Sequence, residues 1–505
     1  MVTHENTLSV AGAAAVKPHF LLGQPLWSGL FFPLLLGLLG GPSAGAAETA
    51  QTFTPAAPVK VRVQREPLSN ADLRQWYLKH MIGDYDHAGR KDPKWDAPAR
   101  EALTLVAQLS VGGDDASAQT TEKLNGVLQS ALDAGCTDPV IRYFHLSFGK
   151  PAVALGNTEL ADRMNRIASD VEGREYSDLM KFYLNIRAVQ KLDRAFTEVR
   201  DTNLWNRAWK LQTIAAKHLA KVLSDPETPC QEGLQSFSEF LYSCEKRRTA
   251  LDYGYPSLFK PVFEYWPTNA SVRLMEGWFF TKWAWAARGT GWAYQVTDKG
   301  NQLFEERLEG AKSAYLKAWQ LDPQDSDAPT RMIDVMLGLS DQRNEMEIWF
   351  RRAMSADTNN YVACKKKLWY LDPRWYGSEE DVLKFGHECV ASKKWGGEVP
   401  LILADAHRAI QVYSYPKEPD RTEYWLRPEV WPDVKLSFER YFEINPTNTG
   451  YRHNYALYAY RCRQWEDLNR QLKLFGGRTN YNYFGGREAF EKMAKEAKDH
   501  SGKAK

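Results

Sequence analysis

The chain has 505 residues, of which 44% are hydrophobic and 25% are charged, which is the balance of an ordinary globular protein. Its length exceeds what one hydrophobic core usually fills, so two or three domains are expected. The formal net charge is +2, from 65 basic and 63 acidic residues, and this balance argues against a general nucleic-acid-binding protein. The short basic run Lys365–Lys367 is typical of a solvated helix face.

The N-terminus has the pattern of a targeting segment. Residues 27–41 (WSGLFFPLLLGLLGG) carry no charge, and Ala44-Gly45-Ala46 after them forms a small-x-small cleavage site. The apolar stretch, of about 15 residues, is shorter than the roughly 20 that a membrane-spanning helix needs. We predict a signal peptide over residues 1–46 and an exported protein, periplasmic or secreted, with no spanning segment after signal removal. An uncleaved N-terminal membrane anchor is the alternative.

Helical periodicity begins after a spacer. Residues 47–69 contain several prolines among small and polar neighbours, which is typical of a flexible linker. From residue 70 onward, apolar residues recur three and four positions apart, as in Leu73 and Trp76, and strand-like alternation is scarce. The pattern predicts an irregular N-terminal helical domain over residues 70–250.

Residues 311–325 (AKSAYLKAWQLDPQD) match the second helix of a tetratricopeptide repeat. That helix carries a small residue and an aromatic residue four positions after it. An alanine follows three positions after the aromatic residue, and a proline follows five positions after that alanine. Ala311, Tyr315, Ala318 and Pro323 meet all four requirements. The small residues allow two helices to approach closely, the ring fills the space beside them, and the proline ends the helix.

The aromatic position recurs along the chain. A step of 35 residues from Tyr315 reaches Phe350, and a second such step reaches Phe385. The same step taken backwards from Tyr315 reaches Phe280. A second match, SFERYFEINPTN, places Phe438 at the aromatic position. The repeats are degenerate, since Thr358 stands where the proline is expected.

These patterns predict an all-α fold. We expect a tetratricopeptide-like helix-pair solenoid over residues 251–475, preceded by the irregular helical domain. Residues 476–505 are expected to form a C-terminal capping helix and tail, because residues 487–498, after Gly476-Gly477 and Gly485-Gly486, read as a short charged helix.

The run MEIWFRRAMSAD, followed by YVACKKKLWYLDPRWYGSEEDVLKFGHEC, resembles a family of exported bacterial proteins catalogued as a domain of unknown function with tetratricopeptide-like helices. The stretch Leu371–Ser378 is the most specific part. The resemblance implies an exported or envelope-associated bacterial protein, and it implies no activity and no functional residues. Read from the residues alone, Asp372-Pro373 ends one helix, Gly377 allows a left-handed turn, and Ser378 caps the next helix.

Two aromatic segments are candidate binding surfaces. In residues 276–294, Trp278 and Trp285 share a helix face with Lys282, so that face is not expected to be wholly buried. Exposed rings in an exported protein suit a protein interface or sugar stacking, whereas a wide helix–helix interface is the purely structural alternative. The predicted partner-binding residues are Trp283, Trp285, Trp292, Tyr294, Trp375 and Tyr376.

Six cysteines follow the predicted signal peptide, and an oxidising compartment permits disulfides among them. The spacing leaves the pairing open. Two pairs are considered, Cys230 with Cys244 and Cys364 with Cys389. The alternative is that all six are buried thiols in a helical core.

The sequence contains no metal, nucleotide or nucleophile motif above background, so we predict no catalytic residue, no metal site and no cofactor. The predicted function is a non-enzymatic helical-repeat interaction or scaffold protein of the bacterial cell envelope, whose partner is a protein or peptide. The alternative is a secreted all-α enzyme or binding protein that acts on a polysaccharide, with Glu264 and Glu276 as carboxylates near aromatic clusters.

Overall fold

The structure, a computed structural model, describes residues 68–112, 117–149, 155–244, 251, 258, 260–289, 291, 293–340, 342–448, 450–475 and 479–501. The predicted signal peptide lies outside these residues. The chain divides into two units, Met1–Pro267 and Thr268–Lys505. The division comes later than the boundary predicted after residue 250, because Phe263 packs its ring 5.6 Å from that of Phe237 in the first unit.

The described part of the first unit is helical. Its helices are α1 (Asn70–Ala88), α2 (Asp96–Val111), α3 (Ala118–Asp133), α4 (Pro139–Phe148), α5 (Asn157–Glu172), α6 (Asp178–Val199), α7 (Thr202–Ser224), α8 (Cys230–Ser243) and α9 (Lys260–Tyr265). Consecutive helices from α1 to α8 contact each other.

Local side chains set where several of these helices begin. The Asp138 carboxylate accepts hydrogen bonds from the backbone N–H groups of Val140 and Ile141, at 2.9 and 3.0 Å, and so satisfies two donors at the start of α4. Ser69 caps α1 in the same manner, through the N–H of Asp72 at 3.2 Å. Helix α1 therefore begins at Asn70.

The described part of the second unit is also helical. Its helices are α10 (Ala270–Arg288), α11 (Asp298–Leu321), α12 (Asp327–Gly338), α13 (Arg343–Ala356), α14 (Tyr361–Tyr370), α15 (Glu379–Ala391), α16 (Ile402–Ser414), α17 (Asp420–Trp425), α18 (Val430–Ile444), α19 (Gly450–Arg461), α20 (Trp465–Leu474) and α21 (Arg487–Ser501). Three short 3-10 segments, Ala293–Gln295, Val399–Leu401 and Tyr481–Phe484, join some of them. No strand occurs in the described residues of either unit.

The second unit is a stack of helix pairs, as the sequence predicts. Helix α10 packs on α11, α12 on α13, and α19 on α20, while α11 also contacts the first helix of the next pair. The first helices of four successive pairs, α10, α12, α14 and α16, contact one another in that order. Such a row forms one continuous side of a helical-repeat stack.

The predicted aromatic positions occupy the interior of the stack. Tyr315, Phe350 and Phe385 are buried on α11, α13 and α15, the second helices of three successive pairs, and Phe438 is buried on α18. The assignment of Phe280 to the aromatic position of the preceding repeat is wrong. Phe280 lies on α10, the partner of α11 within the same pair, because these two helices are longer than the repeat period allows.

The corner between α14 and α15 confirms one local prediction and corrects another. Ser378 caps α15 by accepting a hydrogen bond from the N–H of Asp381 at 3.1 Å. Gly377 does not adopt the left-handed conformation that we predicted. A side chain is excluded there because a Cβ would overlap the backbone of Leu371, with 2.7 Å to its Cα.

The C-terminal helix continues the stack. Met493 and Ala497 of α21 are buried in one cluster with Ala456, Ala459 and Leu468 of the last helix pair. Among the described helices, none combines the length and the apolar character needed to cross a membrane.

Candidate ligand-binding surface

The row of helices α10, α12, α14 and α16 presents one side of the second unit, and aromatic and charged side chains gather along it. Trp278 and Trp285 stand two turns apart on α10 and are both half-buried, in accordance with their spacing. Lys282 lies between them, with its Nζ 5.8 Å from the centre of the Trp278 ring. This face of α10 is therefore partly open to solvent.

Three tryptophans meet beside the corner that follows α14, and we call them the tryptophan cluster: Trp285, Trp369 and Trp375. The Trp285 and Trp375 rings lie 6.2 Å apart at an interplanar angle of 89°. Trp369 and Trp375 are also 6.2 Å apart, at 61°. Edge-to-face rings at such distances attract each other beyond the area they bury. The fold thus joins residues that are far apart in the sequence.

The cluster has an unsatisfied donor. The indole nitrogen Nε1 of Trp375 is buried and has no hydrogen-bond partner among the described residues. An indole N–H can only donate, and leaving such a group unpaired costs about 1–3 kcal/mol.

An arginine is held rigidly against the cluster. Nε and Nη2 of Arg374 donate to the two carboxylate oxygens of Asp372, at 2.7 and 2.6 Å. Asp372 is only 1% exposed, so this bidentate pair fixes the guanidinium plane. The Arg374 Cζ lies 4.4 Å from the Trp369 ring centre and 5.7 Å from that of Tyr413 on α16. Arg374 therefore covers one side of Trp369.

Lysines of α14 form ion pairs with the neighbouring helices of the row. Lys366 pairs with Asp334 of α12, and Lys365 lies 3.9 Å from Asp405 of α16. Lys367 corrects our prediction of a solvated run, because it is only 7% exposed. Its Nζ bonds to Glu347 at 2.8 Å and lies 4.5 Å from the Phe350 ring.

The other predicted partner-binding residues do not join the cluster as a group. Trp283 faces α11, where the Arg307 guanidinium lies 3.8 Å from its ring centre. Tyr376 packs on Tyr370 at 5.0 Å, next to Trp375. Tyr294 is 83% exposed. Trp292 lies outside the described residues.

Trp369 and Arg374 are members of this surface that the sequence did not identify. Both belong to the same stretch as Trp375, so the motif already contained them. What the sequence did not show is that Trp369, at the end of a helix, keeps 38% of its surface exposed.

The cysteines are buried thiols in the described structure. The predicted pairing of Cys230 with Cys244 is wrong, because Cys230 begins α8 and Cys244 follows its last residue. The two residues are fourteen positions apart along a helix, which separates their Cα atoms by roughly 20 Å, whereas a disulfide requires less than about 7 Å. The Cys364 thiol donates to Sδ of Met354 at 3.7 Å, and burial, with Cys364 as a neighbour, raises the pKa of Cys389 well above its ordinary value. A disulfide between these two remains a prediction.

The carboxylates proposed for the polysaccharide alternative are ion-paired. Glu276 bonds to Arg273 at 2.6 Å, and Glu264 lies 3.9 Å from Lys260. They belong to different units of the chain. Within the described ranges, no group of three or more His, Cys, Asp or Glu side chains is arranged to hold a metal ion.

Comparison with known proteins adds little to this geometry. No family model matches the chain, and no curated protein matches it. One similar solved structure is a monomeric mutant of IFIT1 with m7Gppp-AAAA, at a TM-score of 0.24 and 12% sequence identity. The alignment covers 86% of this chain and 95% of that one. A likeness at this level carries no argument about what the present chain binds.

Proposed function

We propose that the second unit binds an extended segment of a partner protein along the row of α10, α12, α14 and α16, centred on the tryptophan cluster. The observation that carries this proposal is the convergence of Trp285, Trp369 and Trp375 beside an arginine that Asp372 holds in place. Large, rigid rings with an arginine are the residue types that dominate binding energy in protein interfaces. The chain would then act as a non-enzymatic scaffold.

The orientation of the rings favours a peptide over a sugar. Sugar stacking requires an open ring face, and Arg374 already covers one face of Trp369, at 4.4 Å. Arg288 lies 5.5 Å from the ring centre of Trp285.

We further propose that the protein works in the bacterial cell envelope, after export. The support for this is the apolar region and small-x-small site near the N-terminus, together with the sequence resemblance to an exported bacterial family of unknown function.

Site-specific photocrosslinking tests the binding surface. Val362 on α14 and Ile348 on α13 have similar exposures, 42% and 39%. Val362 stands seven residues before Trp369 on the same helix face, whereas α13 is the second helix of its pair. With p-benzoylphenylalanine at position 362, we expect a crosslink to one defined polypeptide segment. The same probe at position 348 should not give it.

The variant Trp369→Ala should reduce the yield of the position-362 crosslink at least tenfold, because it removes a half-exposed ring from the centre of the surface. The matched variant Ile348→Ala should leave the yield unchanged. Equal crosslinks from both probe positions, or a yield that does not depend on Trp369, would contradict the proposed surface.

Processing of the N-terminus tests export. In cells of a bacterial host, we expect the mature protein to begin at Ala47, as measured by N-terminal sequencing and intact mass. A full-length chain that sediments with membranes would instead support the uncleaved anchor, and a full-length chain in the cytosol would reject export.

A further inference from the structure

A second candidate site lies in the first unit, apart from the surface described above. A cavity of about 810 Å³ opens between the end of α3, helix α4 and helix α5. This volume is within the roughly 300–1,000 Å³ typical of pockets for organic ligands, and far larger than a single small ion requires. The cavity combines an apolar base with a basic rim. Its apolar lining includes Leu132, Pro139, Leu146 and Ile167.

The basic rim comes from two facing helices. Arg142 of α4 and Arg163 and Arg166 of α5 all line the cavity, and all three are exposed. A guanidinium group keeps its proton at any ordinary pH, so these three side chains stay positively charged. An anion in the cavity would be attracted by this charge.

The acids of the cavity balance the charge of only one of the three rim arginines, Arg163. Glu159 is occupied by Arg163, at 2.6 Å. Asp170 forms ion pairs with Arg90 at 2.9 Å and Arg174 at 3.0 Å. Its single negative charge is therefore already shared by two arginines outside the rim. Among the described residues, no carboxylate forms an ion pair with Arg142 or Arg166. These two guanidinium groups remain available to a ligand.

His145, the remaining titratable base in the cavity lining, does not supply the charge. Its Nε2 lies 3.2 Å from the side-chain oxygen of Gln129. Burial lowers the pKa of His145, although the charge of Asp133 opposes this, so the imidazole is neutral at neutral pH. The positive field of the cavity therefore comes from its arginines and does not fade as the pH rises from 6 to 8.

We infer that this arginine-rimmed cavity binds a small organic anion, whose phosphate or carboxylate group contacts Arg142 and Arg166 while its apolar body lies on Leu132, Leu146 and Ile167. Guanidinium groups match both anions, since each can accept two parallel N–H bonds. Because the base of the cavity is apolar, a ligand with an apolar organic body makes contacts there that an inorganic anion cannot make. This site is independent of the proposed peptide-binding surface.

Calorimetric titration of the purified mature chain tests the inference with four probes: octyl phosphate, octanoate, inorganic phosphate and octyl glucoside. We expect octyl phosphate or octanoate to bind, and the stronger of the two identifies the anionic group. Inorganic phosphate should bind at least tenfold more weakly, since it cannot use the apolar base. Octyl glucoside, which carries no charge, should also bind at least tenfold more weakly.

The double variant Arg142→Gln/Arg166→Gln should weaken binding of the preferred probe at least tenfold. A matched double variant, Arg194→Gln/Lys217→Gln, removes two exposed charges elsewhere in the first unit and should leave the affinity unchanged. Circular dichroism checks that both variants fold. Equal affinities in the two double variants, equal binding of octyl glucoside, or no binding of either anionic octyl probe would each overturn the inference.

Discussion

Replacing Gly277 by alanine should destabilise the second unit by about 2 kcal/mol or more, the range expected for overpacking a filled core. Gly277 lies on α10, opposite the fully buried ring of Tyr315 on α11. An added Cβ would stand 2.5 Å from Cδ1 and 2.8 Å from Cγ of that ring. The ring cannot move aside, because it fills the interior of the helix pair. The loss should exceed the gain of about 1 kcal/mol that alanine brings to a helix.

Thermal unfolding followed by circular dichroism measures this effect, and we expect the second unit to melt about 4–8 °C lower. Gly126 on α3 supplies the control. It is also a helical glycine, but a Cβ there would meet nothing within 4 Å. Gly126→Ala should therefore stabilise its helix slightly. If both substitutions changed stability in the same direction, the close packing of α10 on α11 would be wrong.

Replacing Glu232 by glutamine should remove most of the pH dependence of the first unit's stability between about pH 4.5 and 7. Glu232 on α8 is fully buried and accepts hydrogen bonds from the hydroxyl groups of Tyr77, at 2.5 Å, and Tyr183, at 2.8 Å. Burial raises the pKa of Glu232 from 4.5 to about 7, although both hydrogen bonds act to lower it and the charge of Glu239 raises it further.

The direction of this pH dependence of stability follows from proton binding to Glu232. Between pH 4.5 and 7, the folded protein holds a proton on Glu232 that the unfolded chain has released. The stabilisation is therefore complete below pH 4.5 and is lost as the pH rises towards 7, by an amount on the order of 3 kcal/mol. Glutamine stays neutral and still offers an oxygen to one tyrosine and an amide to the other, so Glu232→Gln should be more stable than wild type at pH 8.

Urea unfolding of the full chain at pH 5 and at pH 8 measures the difference. Burial also raises the pKa of Asp84, so a smaller dependence of the same sign should persist in the variant. Glu122, an exposed glutamate on α3, provides the control, and Glu122→Gln should retain the full wild-type dependence. A wild-type stability that did not fall between pH 5 and pH 8 would contradict the raised pKa.

Features that depend on neighbours in the sequence were predictable. The helices of both units follow from apolar residues spaced three and four apart, and the start of α1 and the cap at Ser378 follow from single polar side chains. The buried positions of Tyr315, Phe350 and Phe385 follow from the repeat period. In each case the spacing along a helix determines which face a residue occupies.

The errors concern contacts between helices. Phe280 has the right spacing from Tyr315, yet it belongs to the same helix pair, because α10 and α11 exceed the usual repeat length. Lys367 follows two lysines in the sequence, but it turns inward to Glu347. The helical period of 3.6 residues shows which face of a helix carries a side chain, but it does not show which residues of other helices that face contacts.

The candidate site also depends on contacts between helices, which the sequence does not reveal. The sequence identified Trp285 and Trp375 as candidates separately, from two aromatic segments, and it could not show that their rings lie 6.2 Å apart. The arginine-rimmed cavity was not predicted, because Arg142 and Arg166 lie on different helices and neither belongs to a recognisable motif.

By itself, the sequence determined the all-α character of this protein, its repeated helix pairs and the residues that fill their interiors, because these depend on spacing within about two turns of helix. The tertiary structure decided which rings and charges meet. Those contacts join residues from different helices, and they form only when the buried faces of successive pairs have been packed together.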